Sequence, residues 1–68
     1  MSAKETFMIE TMTRDLIARL MEDRSLTMRK AMDVVYTSRT YAALQNLETG
    51  LYFQSPAYVY DELSKEIG

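Results

Sequence analysis

The residues that most often carry out acid-base and nucleophilic chemistry at neutral pH are missing from this chain of 68 residues. It contains no His and no Cys, so it lacks the usual proton shuttle and the strongest side-chain nucleophile. A catalytic site would have to use a carboxylate pair, a Lys or a Tyr, and so small a core leaves little room for a ligand pocket of roughly 300 Å³. Two Gly residues cannot form a glycine-rich phosphate loop, and the acidic residues lack the spacing of a calcium loop. We therefore predict that the protein is not an enzyme and uses no cofactor or metal.

Tyrosine is the most distinctive residue type that remains, and it clusters in the second half of the chain. Six aromatic residues lie within 25 positions: Tyr36, Tyr41, Tyr52, Phe53, Tyr58 and Tyr60. In a small domain such rings complete the core while the Tyr hydroxyl groups stay hydrated. Exposed Tyr clusters are also enriched in protein-binding surfaces. The sequence leaves both interpretations open, and the candidates for contact with a partner are Tyr52, Phe53 and Tyr58.

The methionines also permit two interpretations. Five of the six lie on predicted apolar helix faces: Met8, Met12, Met21, Met28 and Met32. A flexible, unbranched Met side chain fills irregular gaps in a core, and it also lines adaptable grooves that accept a partner helix. We expect core packing, with a partner groove as the alternative.

The arginines at positions 14, 19, 24 and 29 are spaced five residues apart. On a helix this spacing rotates successive side chains by about 140°, so the arginines spiral and form no stripe. We expect a solvated face with weak ion pairs. The alternative is a DNA-binding helix-turn-helix domain of the repressor type, with Thr27, Arg29 and Lys30 facing the DNA. Because the pI is near 4.9, the positive charge excess of such a domain is absent, and we do not expect a nucleic-acid partner.

The length allows one small domain, whose stability is marginal without help. Chains this short bury only about 60% of the surface that their unfolded form exposes, and disulfides, metals or subunit association usually compensate. Because Cys and His are absent, self-association is the aid that remains. No stretch has the about 18 to 20 uninterrupted apolar residues of a membrane span, and no secretory leader is recognised at the N-terminus. We expect a cytoplasmic protein that does not enter membranes.

The first half of the chain is dominated by one long amphipathic helix. Ser2 and Glu5 form a capping box, which predicts that the helix begins directly after Ser2. Apolar residues then recur every three or four positions, as is typical of a helix over residues 3–24 that buries one face. The stripe consists of Met8, Ile9, Met12, Leu16, Ile17, Leu20 and Met21.

The remaining segments predict shorter elements. Thr27 is expected to cap a second helix over about residues 28–37 and Ser38 a third, although the β-branched run at 34–37 leaves open whether they form one kinked helix. Residues 46–50 are typical of a turn, and residues 51–54 of an extended segment over the core. Ser55 and Pro56 predict the start of a last helix over residues 56–67. The inward face of that helix is expected to carry Tyr60, Leu63 and Ile67.

A longer pattern covers residues 25–67. Its elements are Ala31, Tyr36, Thr37, Ser38, Tyr41, Leu44, Glu48, Thr49, Gly50, Leu51, Tyr52, Ser55, Pro56, Tyr58, Val59, Tyr60 and Leu63. In this pattern the chain resembles a family of short bacterial proteins of unknown function, some of them encoded beside toxin-like genes in small operons. The resemblance implies a protein partner from the same operon. It assigns no site residues, because the shared motif is structural rather than catalytic.

These patterns predict an all-α domain of three or four helices with a short Tyr-rich extended connection before the last helix. The predicted function is a protein-interaction or regulatory module without catalytic activity. We expect a homodimer, because the stripe on the first helix is longer than the short elements that follow it and pairing through a two-fold axis would cover it. The predicted self-association residues are Met8, Met12, Ile17 and Met21.

Overall fold

Four α-helices and no β-strand make up the computed structural model, which describes residues 1–68. The helices are α1 (Ala3–Arg24), α2 (Met28–Tyr36), α3 (Arg39–Gln45) and α4 (Pro56–Ile67). Two 3-10 turns, Leu47–Thr49 and Leu51–Phe53, connect α3 to α4. The predicted all-α fold is confirmed.

The long helix α1 begins where the sequence predicts. The Ser2 hydroxyl accepts a hydrogen bond from the Glu5 N–H at 3.2 Å, and the Ser2 N–H donates to the Glu5 carboxylate at 2.9 Å. These reciprocal bonds satisfy two backbone donors that have no partner within the helix. The helix ends at Ser25, whose φ of 55° is left-handed. The chain then reverses, and α2 packs against α1 so that Tyr36 at its end lines a depression with Ile9 and Thr13.

The segment Thr37–Ser38 separates α2 from α3, so the two are distinct helices. The Thr37 hydroxyl donates to the Asp33 carbonyl at 2.7 Å, and the Ser38 hydroxyl donates to the Val35 carbonyl at 2.7 Å. Both bonds terminate α2. The Ser38 oxygen also accepts from the Tyr41 N–H at 3.0 Å and thereby caps α3.

The carboxylate of Glu66 completes the start of α3 from the far end of the chain. It accepts hydrogen bonds from the Arg39 N–H at 2.7 Å, from the Thr40 N–H at 2.9 Å and from the Thr40 hydroxyl at 2.8 Å. A negative charge at a helix N-terminus is favourable, because the first N–H groups point toward it. Glu66 therefore ties the last turn of α4 to the first turn of α3.

The sequence predicts an extended connection before α4, and this prediction is wrong. Residues 51–53 form a 3-10 turn in which the Phe53 N–H donates to the Gly50 carbonyl and the Gln54 N–H to the Leu51 carbonyl. No neighbouring strand exists in this all-helical domain, so an extended segment would leave its backbone groups without protein partners, whereas the turn pairs them locally. Gly50 has a left-handed φ of 69°, and a Cβ there would lie 3.0 Å from the Phe53 ring.

Helix α4 begins at the predicted Ser55 cap. The Ser55 hydroxyl accepts from the Tyr58 N–H at 3.1 Å, and Pro56 occupies the first turn, where its missing N–H is not needed. Along the helix, the Tyr60 hydroxyl donates to the Asp23 carboxylate at 2.8 Å. This bond fixes α4 against the last turn of α1.

The core lies along α1 and receives side chains from all four helices. Ten apolar residues are buried: Ile9, Met12, Leu16, Ile17, Leu20, Ala31, Val35, Leu44, Val59 and Leu63. On α4 the fully buried pair is Val59 and Leu63, whereas the predicted inward residues Tyr60 and Ile67 pack against the core and remain partly exposed. The three shorter helices and the second 3-10 turn all contact α1. Together they cover the apolar stripe of α1 within a single chain.

Candidate functional site

The acidic and Tyr side chains are the groups of this chain with the most potential for chemistry. No three Asp or Glu side chains converge on a point where a metal ion could be held. Burial raises the pKa of Tyr41, with the nearby Tyr36 and Glu10 adding to the effect. Burial and the hydrogen bond to Asp23 raise the pKa of Tyr60 as well. Both phenols therefore stay protonated at neutral pH, the opposite of what an activated Tyr base requires.

Two of the predicted partner-binding residues form one exposed feature. The rings of Tyr52 and Phe53 pack edge to face, with centroids 4.9 Å apart and planes at 86°. Tyr52 packs against the core, and Phe53 is 60% exposed. The 3-10 turn at 51–53 contacts α1, and both rings line a depression with Lys4, Glu5 and Met8 from the first turns of that helix.

Helix α1 extends this feature with residues that the sequence did not single out for a partner. Phe7 is 65% exposed, and it lines a surface depression together with Met8, Tyr52 and Pro56. Met8 and Tyr52 also line the adjoining depression that Phe53 borders. We call these five residues, Phe7, Met8, Tyr52, Phe53 and Pro56, the aromatic patch. It combines the N-terminal half of α1, the second 3-10 turn and the start of α4.

Tyr58, the third predicted partner residue, does not belong to the aromatic patch. It is about half exposed, as the sequence predicts, but it lines a separate depression with Leu51, Glu62 and Lys65. Tyr58 lies two residues after Pro56 on α4, and the helical rotation of about 200° over two residues turns it to another side. The structure therefore brings Tyr52 and Phe53 together and separates Tyr58 from them.

The four predicted self-association residues do not share one environment. Met12 and Ile17 are buried in the core, so neither is accessible to a partner. Met21 is partly buried and packs against the core, whereas Met8 belongs to the aromatic patch. The four residues do not form one exposed stripe, because α2, α3, α4 and the second 3-10 turn pack along successive parts of α1. A dimer could not use this stripe without first opening the core.

Helix α2 also differs from its predicted burial. Ala31 and Val35 are fully buried. Met28 and Met32, which the sequence places on an apolar helix face, are instead exposed, and so is Tyr36. For Met28 and Met32, the prediction that methionines fill the core is wrong. The apolar sector of α2 is wider than the surface of α1 that can cover it.

The basic residues are dispersed, and several have partners within the chain. Arg19 pairs with Asp15 at 2.8 Å, which agrees with the predicted solvated face of weak ion pairs. Arg24 donates to the Gly68 carbonyl at 3.0 Å. Thr27 caps α2 by accepting from the Lys30 N–H at 3.2 Å. In a helix-turn-helix protein the exposed face of α2 would have to present polar groups to base edges. Here the exposed side chains of α2 are mixed, with Arg29, Lys30 and Asp33 beside Met28, Met32 and Tyr36.

None of the four helices combines the length and the apolar character that crossing a bilayer requires. Comparisons with protein-family models, with curated proteins and with solved structures found no match. The resemblance of residues 25–67 to short bacterial proteins therefore stays a prediction from the sequence pattern.

Proposed function

We propose that this protein is a non-catalytic protein-interaction module that binds a protein partner through the aromatic patch and also associates with itself. One observation carries the proposal: two Phe side chains, each exposed by more than half, lie on one surface joined by Met8 and Tyr52. Burying a large apolar side chain contributes about 1.5 to 3 kcal/mol of favourable free energy, so covering both rings would favour binding of a partner.

The composition of the patch supports a protein rather than a charged ligand as its occupant. Aromatic residues and Met are enriched at the centres of protein interfaces, where charged residues are depleted. Of the charged residues that line the two depressions, Glu5 is already engaged by the Ser2 N–H and Asp15 by Arg19, and the third is Lys4. The complementary surface is therefore apolar, such as one face of an amphipathic helix. From the resemblance of residues 25–67, we propose that the partner is encoded in the same operon.

The test is affinity capture from the native host with three immobilised proteins: the wild type, Phe7→Ser and Tyr58→Ser. Phe7 and Tyr58 are both exposed, but only Phe7 lies in the aromatic patch. We expect a protein that is enriched with the wild type and with Tyr58→Ser and depleted with Phe7→Ser. Quantitative mass spectrometry identifies it and shows whether its gene neighbours this one.

Capture of the same proteins by all three variants, or of none above background, would contradict the proposal. Phe53→Ser provides a second variant of the patch, although it also removes the ring that lies against Gly50. Its circular dichroism spectrum and urea midpoint must therefore match those of the wild type before its binding is interpreted. Loss of the captured protein with Tyr58→Ser alone would place the binding surface on the other side of α4.

A further inference from the structure

Helix α2 presents a second apolar surface that is separate from the aromatic patch. Met28, Met32 and Tyr36 are 60%, 37% and 47% exposed, and they recur at four-residue spacing. Side chains four residues apart lie above one another on a helix, so the three form a stripe about 12 Å long. The Tyr36 ring is held edge to face by Tyr41, with centroids 5.1 Å apart. We call Met28, Met32 and Tyr36 the α2 stripe.

Two charged residues border the α2 stripe on one side. Arg29 and Asp33 directly follow Met28 and Met32, and both are exposed. At this four-residue spacing Asp15 pairs with Arg19 and Asp61 with Lys65, whereas Glu10 forms no ion pair with Arg14, nor Arg19 with Asp23. Arg29 and Asp33 form no such ion pair in the structure. One positive and one negative group are therefore available at successive turns along the stripe.

This charge pattern is self-complementary in one orientation only. When two copies of α2 pack antiparallel about a two-fold axis level with residue 31, midway between Arg29 and Asp33, Arg29 of each copy lies beside Asp33 of the other. A parallel pair has its two-fold axis along the helices, which places Arg29 and Asp33 of the two copies on opposite sides of the stripe, where they cannot pair. In the antiparallel pair Met28 of each copy also meets Tyr36 of the other, and a thioether beside an aromatic ring is a favourable contact.

We infer that the α2 stripe binds the α2 stripe of a second copy of this chain in an antiparallel, two-fold arrangement. The inference rests on the self-association part of the proposed function and requires no binding at the aromatic patch. The proposed site of self-association is therefore the exposed α2 stripe and not the core residues Met12 and Ile17 that the sequence predicts. Two helices of nine residues bury less than the about 1,200 Å² of a standard interface, so the dimer is weak and reversible.

The test is sedimentation equilibrium at low salt from about 10 μM to 1 mM, a range that covers weak dissociation constants. The wild type is expected to shift from the 7.9 kDa monomer toward twice that mass as concentration rises. Arg29→Asp and Asp33→Arg each place like charges across the two-fold axis, and each should weaken association by about tenfold or more. The double variant Arg29→Asp with Asp33→Arg restores opposite charges and should recover association to within about threefold of the wild type.

Circular dichroism of each variant at low concentration confirms that α2 is folded, so a loss of association is not a loss of structure. A wild-type mass of 7.9 kDa at every concentration would overturn the inference. So would single variants that associate like the wild type, or a double variant that fails to recover. Phe7→Ser should associate like the wild type, and loss of its dimer would assign self-association to the aromatic patch instead. Failure of partner capture by the patch would leave the association data unchanged, so the two proposals fail separately.

Discussion

Replacing Glu66 with Gln should remove much of the stability that ties α3 to α4. The Glu66 side chain is only 18% exposed, and one of its oxygens accepts the Arg39 N–H while the other accepts two bonds from Thr40. Gln can keep the two Thr40 bonds, but its NH₂ group would then face the Arg39 N–H, so two donors meet. Losing one hydrogen bond to a charged acceptor costs about 1.5 to 3 kcal/mol. The Arg39 side chain is 90% exposed, and its 3.8 Å contact with Glu66 adds little.

The pH dependence gives this prediction a second, independent readout. Burial raises the pKa of Glu66, but the Arg39 N–H, the Thr40 hydroxyl and N–H, and the Arg39 charge outweigh burial, so the net pKa lies below its ordinary value of 4.5. A carboxylate whose pKa is lower in the folded than in the unfolded state stabilises the fold above its unfolded pKa. That stability is lost as the pH falls through the depressed folded value. The gap between wild type and Glu66→Gln should therefore be largest at neutral pH and narrow progressively below 4.5.

Urea unfolding followed by circular dichroism measures this gap at several pH values. A domain of this size has a total stability of about 3 to 10 kcal/mol, so the expected loss is easily resolved. Glu62→Gln, one turn earlier on α4, removes the same charge from a residue that forms no hydrogen bond or ion pair with α3, and it should change stability by less than about 0.5 kcal/mol. Equal stabilities for Glu66→Gln and wild type at neutral pH would refute the role of Glu66 as a cap. A gap that stays constant into acid would refute the pKa assignment.

Ser55→Ala should lower the free energy of unfolding by about 0.5 to 2 kcal/mol, and Ser55→Gly by only a few tenths, because Gly also tolerates the cap conformation. Negligible losses for both variants in urea unfolding would show that α4 lacks this cap. Leu16→Ala leaves a cavity in the core and should lower the free energy of unfolding by about 2 to 5 kcal/mol in the same measurement. Phe7→Ala should lower it by less than about 1 kcal/mol, and comparable losses for the two variants would show that Phe7 is covered. Random duplex DNA should not be shifted in a gel at low salt, since the pI is near 4.9 and the arginines are dispersed. Retention that weakens steeply with added salt would favour the DNA-binding alternative.

The helix starts were predictable because caps are local. Ser2, Thr27, Ser38 and Ser55 each accept from a backbone N–H three residues later, and that spacing is visible in the sequence. The cap supplied by Glu66 was not predictable in this way, because it joins residues separated by 26 and 27 positions. Local patterns also could not show that residues 51–53 turn on themselves, since the apolar run at this point fits an extended segment equally well.

Burial was predictable only where the apolar sector of a helix is narrow. Most of the stripe on α1 is buried as expected, but on α2 the periodicity cannot say which part of a wide sector faces α1. Met28 and Met32 are therefore exposed while Ala31 and Val35 are buried. The aromatic patch needs Phe7 beside Tyr52, a juxtaposition set by the tertiary packing of the second 3-10 turn on α1. Phe7 had one local signal, since a large aromatic residue off the inward stripe of an amphipathic helix is exposed unless something else covers it.

Site-specific photocrosslinking in the native host tests most directly whether the aromatic patch binds a protein partner. A benzophenone amino acid at position 53 places the reactive group in the patch, and the same residue at position 58 provides an exposed aromatic control on another surface. After irradiation, we expect one predominant adduct with another protein at position 53, absent at position 58 and lost when Phe7→Ser is combined with the probe at 53. Adducts of equal yield at both positions, or none at 53, would contradict the account.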